Sequence, residues 1–70
     1  MTRNDLIKYI LKKVLDYYFN IQQITSITYE DFLKKFNLII NTLNDSEIEQ
    51  IYQFAKNNNF KFFNDNLINN

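Results

Sequence analysis

Leu43-Asn44-Asp45-Ser46-Glu47-Ile48-Glu49-Gln50-Ile51 is the stretch on which the fold turns. Asn44 carries a short amide suited to receive the free N–H groups of a helix start. Glu47, three residues on, reaches back to close a capping box. Ile48, Ile51, Tyr52 and Ala55 then recur at the spacing of one buried helical stripe. The helix this predicts fails at Asn57-Asn58-Asn59, where short amides compete for backbone hydrogen bonds. Upstream, Thr28 is an N-cap with Asp31 as a weaker box partner, and a second helix is predicted from Tyr29 to about Ile40. It turns Phe32, Phe36, Ile39 and Ile40 inward. A first helix is predicted from Asp5 to Phe19, with Ile7, Leu11, Val14, Leu15 and Tyr18 as its stripe. Leu6 and Ile10 widen that stripe, Thr2 and Asp5 form a weak capping pair, and Lys8, Lys12, Lys13 and Asp16 face water.

Downstream of the decisive stretch, Phe60-Lys61-Phe62-Phe63 holds three aromatics in four residues and is predicted to be extended. Asn64 is expected to cap a fourth helix holding Leu67 and Ile68. That helix has barely one turn before the sequence given ends, and one turn needs packing to persist. The expectation is that a longer natural chain continues it, or that the chain was cut there.

Composition narrows the function classes. A chain of 70 residues bounds the answer to one small domain. Seven Phe and five Tyr supply a core, since each buried ring removes about 150–250 Å² from water. Cys, His and Gly are absent. That leaves no disulfide scaffold, no thiolate metal site, few general bases or nucleophiles and no phosphate-cradling glycine loop. Ser26 and Ser46 sit beside helix starts, where Ser is a turn or cap residue rather than a nucleophile. The chain therefore reads as noncatalytic, with no cofactor. Eight basic residues balance eight acidic ones, so the basic footprint of a nucleic-acid binder is missing. No apolar run reaches the roughly 20 residues of a membrane span, and Met1-Thr2-Arg3-Asn4-Asp5 lacks the features of a signal peptide. The expected location is the cytoplasm, without direct membrane insertion.

The two halves echo each other at an offset of 36 residues, with Ile27 matching Phe63, Thr28 matching Asn64 and Phe32 matching Ile68. Each half reads as helix, twelve-residue link, helix. With Ile27-Thr28-Tyr29-Glu30-Asp31-Phe32 and the decisive stretch above, this resembles a pair of EF-hands, the lobe of calmodulin and its relatives. The resemblance implies an all-α lobe over residues 1–70, with one degenerate EF-hand at about 2–40 and another at about 44–70. It also implies a short antiparallel ladder between the loops at Ile27 and Phe63. One departure is in the first helix, whose stripe fits the family better with Tyr18 in the place of Phe19. The first loop would then be thirteen residues long.

The resemblance places the metal-ligand positions, and the residues there do not suit calcium. An EF-hand holds the ion through oxygens at loop positions 1, 3, 5, 7, 9 and 12, with glycine at position 6. In the first loop Asn20, Gln22 and Ile24 stand at positions 1, 3 and 5, Thr25 replaces the glycine, and Asp31 replaces the bidentate Glu. In the second loop Lys56 stands at position 1, with Asn58, Phe60 and Leu67 at positions 3, 5 and 12. No metal is expected in either loop. Without an ion to open the lobe, the remaining use of such a fold is constitutive grip on a partner helix.

Among EF-hand relatives the chain is most similar to the N-terminal lobe of myosin essential light chains. The implied partner is a basic amphipathic IQ helix of a myosin heavy-chain neck, with another light chain alongside. Richness in Asn, Ile and Lys resembles proteins of malaria parasites, which implies the apicomplexan gliding motor beneath the plasma membrane. Phe36, Ile39, Ile51, Tyr52 and Ile68 are candidates for the groove floor, or are simply core in a closed lobe. Phe54 lies off its helix's stripe and is either a partner contact or a cover for Ile39 and Ile40; Tyr17 and Phe62 share this ambiguity. Asp45, Glu47 and Glu49 form a negative end, read either as a contact for IQ lysines or as a helix start favoured by its dipole. Two further classes stay open: a calcium-independent centrin-like adaptor for another amphipathic helix, and a self-associating helical module.

Overall fold

The structure is a computed structural model and describes residues 1–69. The C-terminal limit expected for the second unit, Asn70, lies outside the described residues. Four helices follow in order. Helix α1 spans Arg3–Leu15 and runs on as a π-helical segment over Asp16–Ile21. Helices α2 and α3 span Tyr29–Ile40 and Asp45–Lys56. Helix α4 spans Lys61–Phe63 and continues as a second π-helical segment over Asn64–Ile68.

Three helix starts follow their local chemistry. Asn44 Oδ1 receives the Glu47 N–H at 2.8 Å while Glu47 Oε1 receives the Asn44 N–H at 2.9 Å. Thr2 and Asp5 make the same reciprocal pair. Thr28 Oγ1 receives the Asp31 N–H at 3.1 Å. The end of α3 is a Schellman turn built without glycine. Asn59 N–H donates to the Phe54 carbonyl at 2.8 Å and Asn58 N–H to the Ala55 carbonyl at 3.1 Å. Asn58 takes the left-handed conformation, φ 58°.

Helices α1 and α3 run parallel. The pairs Arg3–Asp45, Tyr9–Tyr52, Lys13–Asn58 and Tyr18–Asn64 succeed one another along the two segments. Helix α2 runs back in the opposite direction, so its end at Ile40 again lies beside Arg3. The α1–α2 and α3–α4 links consequently sit at the same end of the domain. The core joins Leu6, Ile10, Val14 and Tyr18 to Phe32, Phe36, Ile40, Ile48, Ile51, Ala55, Phe63 and Leu67. The radius of gyration of the domain, 11.3 Å, matches the roughly 11 Å of a close-packed chain this long.

The centre of the first stripe differs from the expectation. Leu6 and Ile10 are core, while Ile7, Leu11 and Leu15 are only half-buried. The buried residues recur every four positions, and in an α-helix each such step drifts by about 40°. The wider π turn slows that drift and keeps Tyr18 inward at 2% exposure, leaving Phe19 on the flank. A π turn is an inserted residue absorbed by a helix. It takes up here the extra residue that the sequence places in a longer loop.

The expected extended segment is corrected: no strand occurs among the described residues, and Phe60–Phe63 does not pair with Ile27. A lone strand would leave its backbone groups without a ladder, whereas a helix satisfies them internally. The helical turn also brings Phe63 and Leu67, four apart, onto one face, and both are about 1% exposed. Asn64 is therefore not the cap of α4 but lies inside the helical run; Asn59 Oδ1 receives the Lys61 N–H at 3.3 Å instead. The 36-residue echo fails for the same reason, because Ile27 is a loop residue while Phe63 is helical core.

Candidate functional site

The expected ligand positions are scattered into structural roles. Asn20 lies in the π segment and donates through Nδ2 to Asp16 Oδ1 at 3.0 Å. Gln22 ends that segment, its N–H donating to the Tyr17 carbonyl at 2.8 Å. Ile24 packs against the core, with its N–H on the Tyr18 carbonyl at 3.0 Å. Asp31 is in the first turn of α2. In the second half, the Lys56 ammonium sits 5.7 Å from the Tyr52 ring centroid. Asn58 Oδ1 receives Lys13 Nζ at 3.0 Å. Phe60 stacks on Tyr17 with centroids 3.8 Å apart, and Leu67 is core. Neither segment forms a twelve-residue loop: residues 22–28 join α1 to α2, and residues 57–60 join α3 to α4. Among the described residues no three His, Cys, Asp or Glu side chains converge as a metal site.

The expected partner residues divide. Phe36 and Ile51 are core, 2% and 3% exposed. Ile39 and Tyr52 are half-buried, Tyr52 meeting Tyr9 edge-on at 5.1 Å. Phe54 lines a depression of about 250 Å³ with Phe62, Lys61 and Asp65. Ile68 borders a larger groove of about 560 Å³, and this groove is the candidate site. One wall is α2, through Asp31, Lys34, Lys35 and Leu38. The other is the Thr25–Thr28 loop, with Ile27 against the core and Ile68 from the end of α4. Asp31, Lys34, Lys35 and Leu38 follow helical spacing, so they share one face. Leu38 stands 69% exposed at its end. Lys34 pairs with Glu30 at 3.6 Å, so the charges along this wall are mixed.

The negative end is engaged within the domain. Asp45 binds Arg3 at 2.8 Å, and Glu47 completes its helix's cap. Arg3 is one residue that sequence reasoning missed. Its guanidinium also donates to the carbonyls of Ile40 at 3.3 Å and Leu43 at 2.9 Å, tying α1 to the α2–α3 turn. Local pattern carries no signal for it, because its partners lie about forty residues away. Tyr18 is the other long-range polar anchor. Its hydroxyl meets Asn64 Oδ1 and lies 3.3 Å from the Phe60 carbonyl. Burial, reinforced by the neighbouring Tyr17 and Asp65, pushes its phenol well above the ordinary value, so it stays protonated as a donor.

No family model, characterised protein or solved structure matches the chain. No helix among the described residues is long and apolar enough to cross a membrane.

Proposed function

We propose that the chain is a noncatalytic binding module that holds an amphipathic helix of a partner protein, without calcium, in the groove beside α2. The observation that carries this reading is the groove itself, where Leu38 is offered to solvent on one wall and Ile27 and Ile68 line the other. Helix-in-groove recognition uses apolar anchors at helical spacing, and a site with three aliphatic contacts suits one or two of them. Mixed charge on the wall leaves affinity to apolar burial, with little dependence on salt. An essential-light-chain lobe on an IQ-type neck helix, in a cytoplasmic motor, is the particular form of this proposal. Support for it comes from the position of Ile68 and from the placement of both interhelical links at one end. It asks more of the domain, since Phe36 and Ile51 must be uncovered to serve as groove floor.

The test is an NMR titration of the labelled chain with two helical peptides, one IQ-type and basic, the other with neutral flanks. Amide shifts confined to residues 25–28, 34–38 and 68, unchanged by calcium or chelator, are expected. Leu38→Asp should abolish them. Shifts spreading through Phe36 and Ile51 with the IQ peptide alone would favour the light-chain form. Shifts that require calcium, or none with either peptide, would refute the proposal.

A further inference from the structure

Two π-helical segments occur among the described residues, and a side-chain hydrogen bond ties one to the other. Tyr18, in the segment Asp16–Ile21, donates through its hydroxyl to Asn64 Oδ1, at the first residue of the segment Asn64–Ile68. The Phe60 carbonyl lies 3.3 Å from the same hydroxyl. π turns are rare and recur at functional sites. Tyr18 is 2% exposed, so this polar contact is made inside the core.

The second segment closes the groove beside α2, where Ile68 lines it with Ile27 and Leu38. Residues 61–68 are nevertheless weakly built in themselves. Helices α1, α2 and α3 start on Thr2, Thr28 and Asn44, whose side chains each receive an N–H of the first turn. Helix α4 starts on Phe60, which has no side-chain oxygen, and Asn59 supplies a bond of 3.3 Å from the residue before. A run this short does not hold a helix without packing. The Lys61–Asp65 and Asn66–Phe62 bonds stay inside the segment. Phe63 and Leu67 in the core and the Tyr18 hydroxyl dock it on the domain. The other core residues lie on α1 with its π extension, α2 and α3. Arg3 clamps those three helices at the end away from the links.

We infer that residues 61–68 form a hinged wall of the groove, which opens as a unit while α1, α2 and α3 stay packed, and that the Tyr18 hydroxyl is its latch. Elements with few buried apolar contacts open sub-globally before the whole fold does. The hinge is the link at residues 57–60, where Asn58 already holds left-handed backbone, φ 58°. Opening withdraws Ile68 from the groove and uncovers the seats of Phe63 and Leu67. The latch thus governs what fraction of the chains presents the groove. That last consequence rests on the binding proposed above; the opening itself does not.

Native-state hydrogen exchange of the full chain, followed by NMR at low urea, reads the opening without any ligand. The protected amides of residues 64–68 should exchange through an opening roughly tenfold or more easier than that of Phe36 and Ile51, and with a smaller urea dependence. Tyr18→Phe should speed exchange at residues 64–68 by about two- to tenfold, the worth of one neutral hydrogen bond. Arg3→Ala removes a clamp that survives the opening. It should therefore speed exchange at Phe36 and Ile51 by roughly tenfold or more, yet leave residues 64–68 unchanged. One shared protection and urea dependence for both sets would overturn the inference. So would residues 64–68 that follow Arg3→Ala, or that ignore Tyr18→Phe.

Discussion

Removing the Arg3 guanidinium is expected to be the most damaging change to an incompletely buried side chain. Its side chain is 36% exposed, yet it donates to two backbone carbonyls and one carboxylate. The Asp45 bridge is solvent-facing, with that carboxylate 87% exposed, so it contributes at most about 1 kcal/mol. The carbonyls weigh more. The Ile40 carbonyl keeps the Leu43 N–H at 3.2 Å, so Arg3→Ala chiefly strands the part-buried Leu43 carbonyl, which takes the shorter Arg3 bond at 2.9 Å. Hydrogen bonds from a charged donor are worth about 1.5–3 kcal/mol. Allowing for partial rehydration, Arg3→Ala should cost about 2 kcal/mol. A domain of this size stores roughly 4–10 kcal/mol, so the loss should be plain. Urea melts with unchanged m-value should report it, and thermal melts should fall by about 8–16 °C. Arg3→Lys, which keeps the charge but not the fork, should recover less than half. A double-mutant cycle with Asp45→Asn should give a coupling below about 1 kcal/mol, locating most of the effect at the carbonyls. A cost under about 0.5 kcal/mol for Arg3→Ala, or a coupling that accounts for the whole loss, would refute the clamp.

Other consequences are equally direct. Gln23 and Asn58 occupy left-handed backbone, φ 51° and 58°, in a chain with no glycine. Gln23→Gly should therefore stabilise by about 0.5–1 kcal/mol in urea melts, and Asn58→Gly by less because it loses the Lys13 contact. Tyr18 binds its proton more tightly folded than unfolded, so its contribution is fully present below about pH 10. Above that, stability should fall by up to about 1.4 kcal/mol per pH unit until the raised folded pKa is passed. Tyr18→Phe should remove that part of the alkaline slope, as measured by urea melts at stepped pH. Phe63→Ala should cost about 3–5 kcal/mol by urea melt, and backbone chemical shifts across residues 61–68 should be helical; extended shifts at Phe63 would restore the ladder to Ile27.

The limits of α2 and the start of α3 were legible because their causes are local: a cap, a box and a stripe within one or two turns. Tyr18 was legible as an inward residue, though the π turn that delivers it was not, since π turns leave little trace in a periodicity. Of the candidate site, Ile68 was named as a contact and does border the groove. Leu38 was missed, because in isolation an exposed Leu on a polar face is ordinary. The aromatic run Phe60–Phe63 misled, since intrinsic β preference is weak beside the need to pair a strand.

What the sequence determined by itself was therefore an all-α chain with three well-placed helix starts, written in hydrogen bonds that span three residues. Only the tertiary structure decided that Phe63 and Leu67 enter the core from a helix, that Tyr18 anchors Asn64, and that Arg3 holds the α2–α3 turn. Each of those outcomes joins residues about thirty to forty-six positions apart. Their energies depend on burial and donor placement that exist only once the helices have packed.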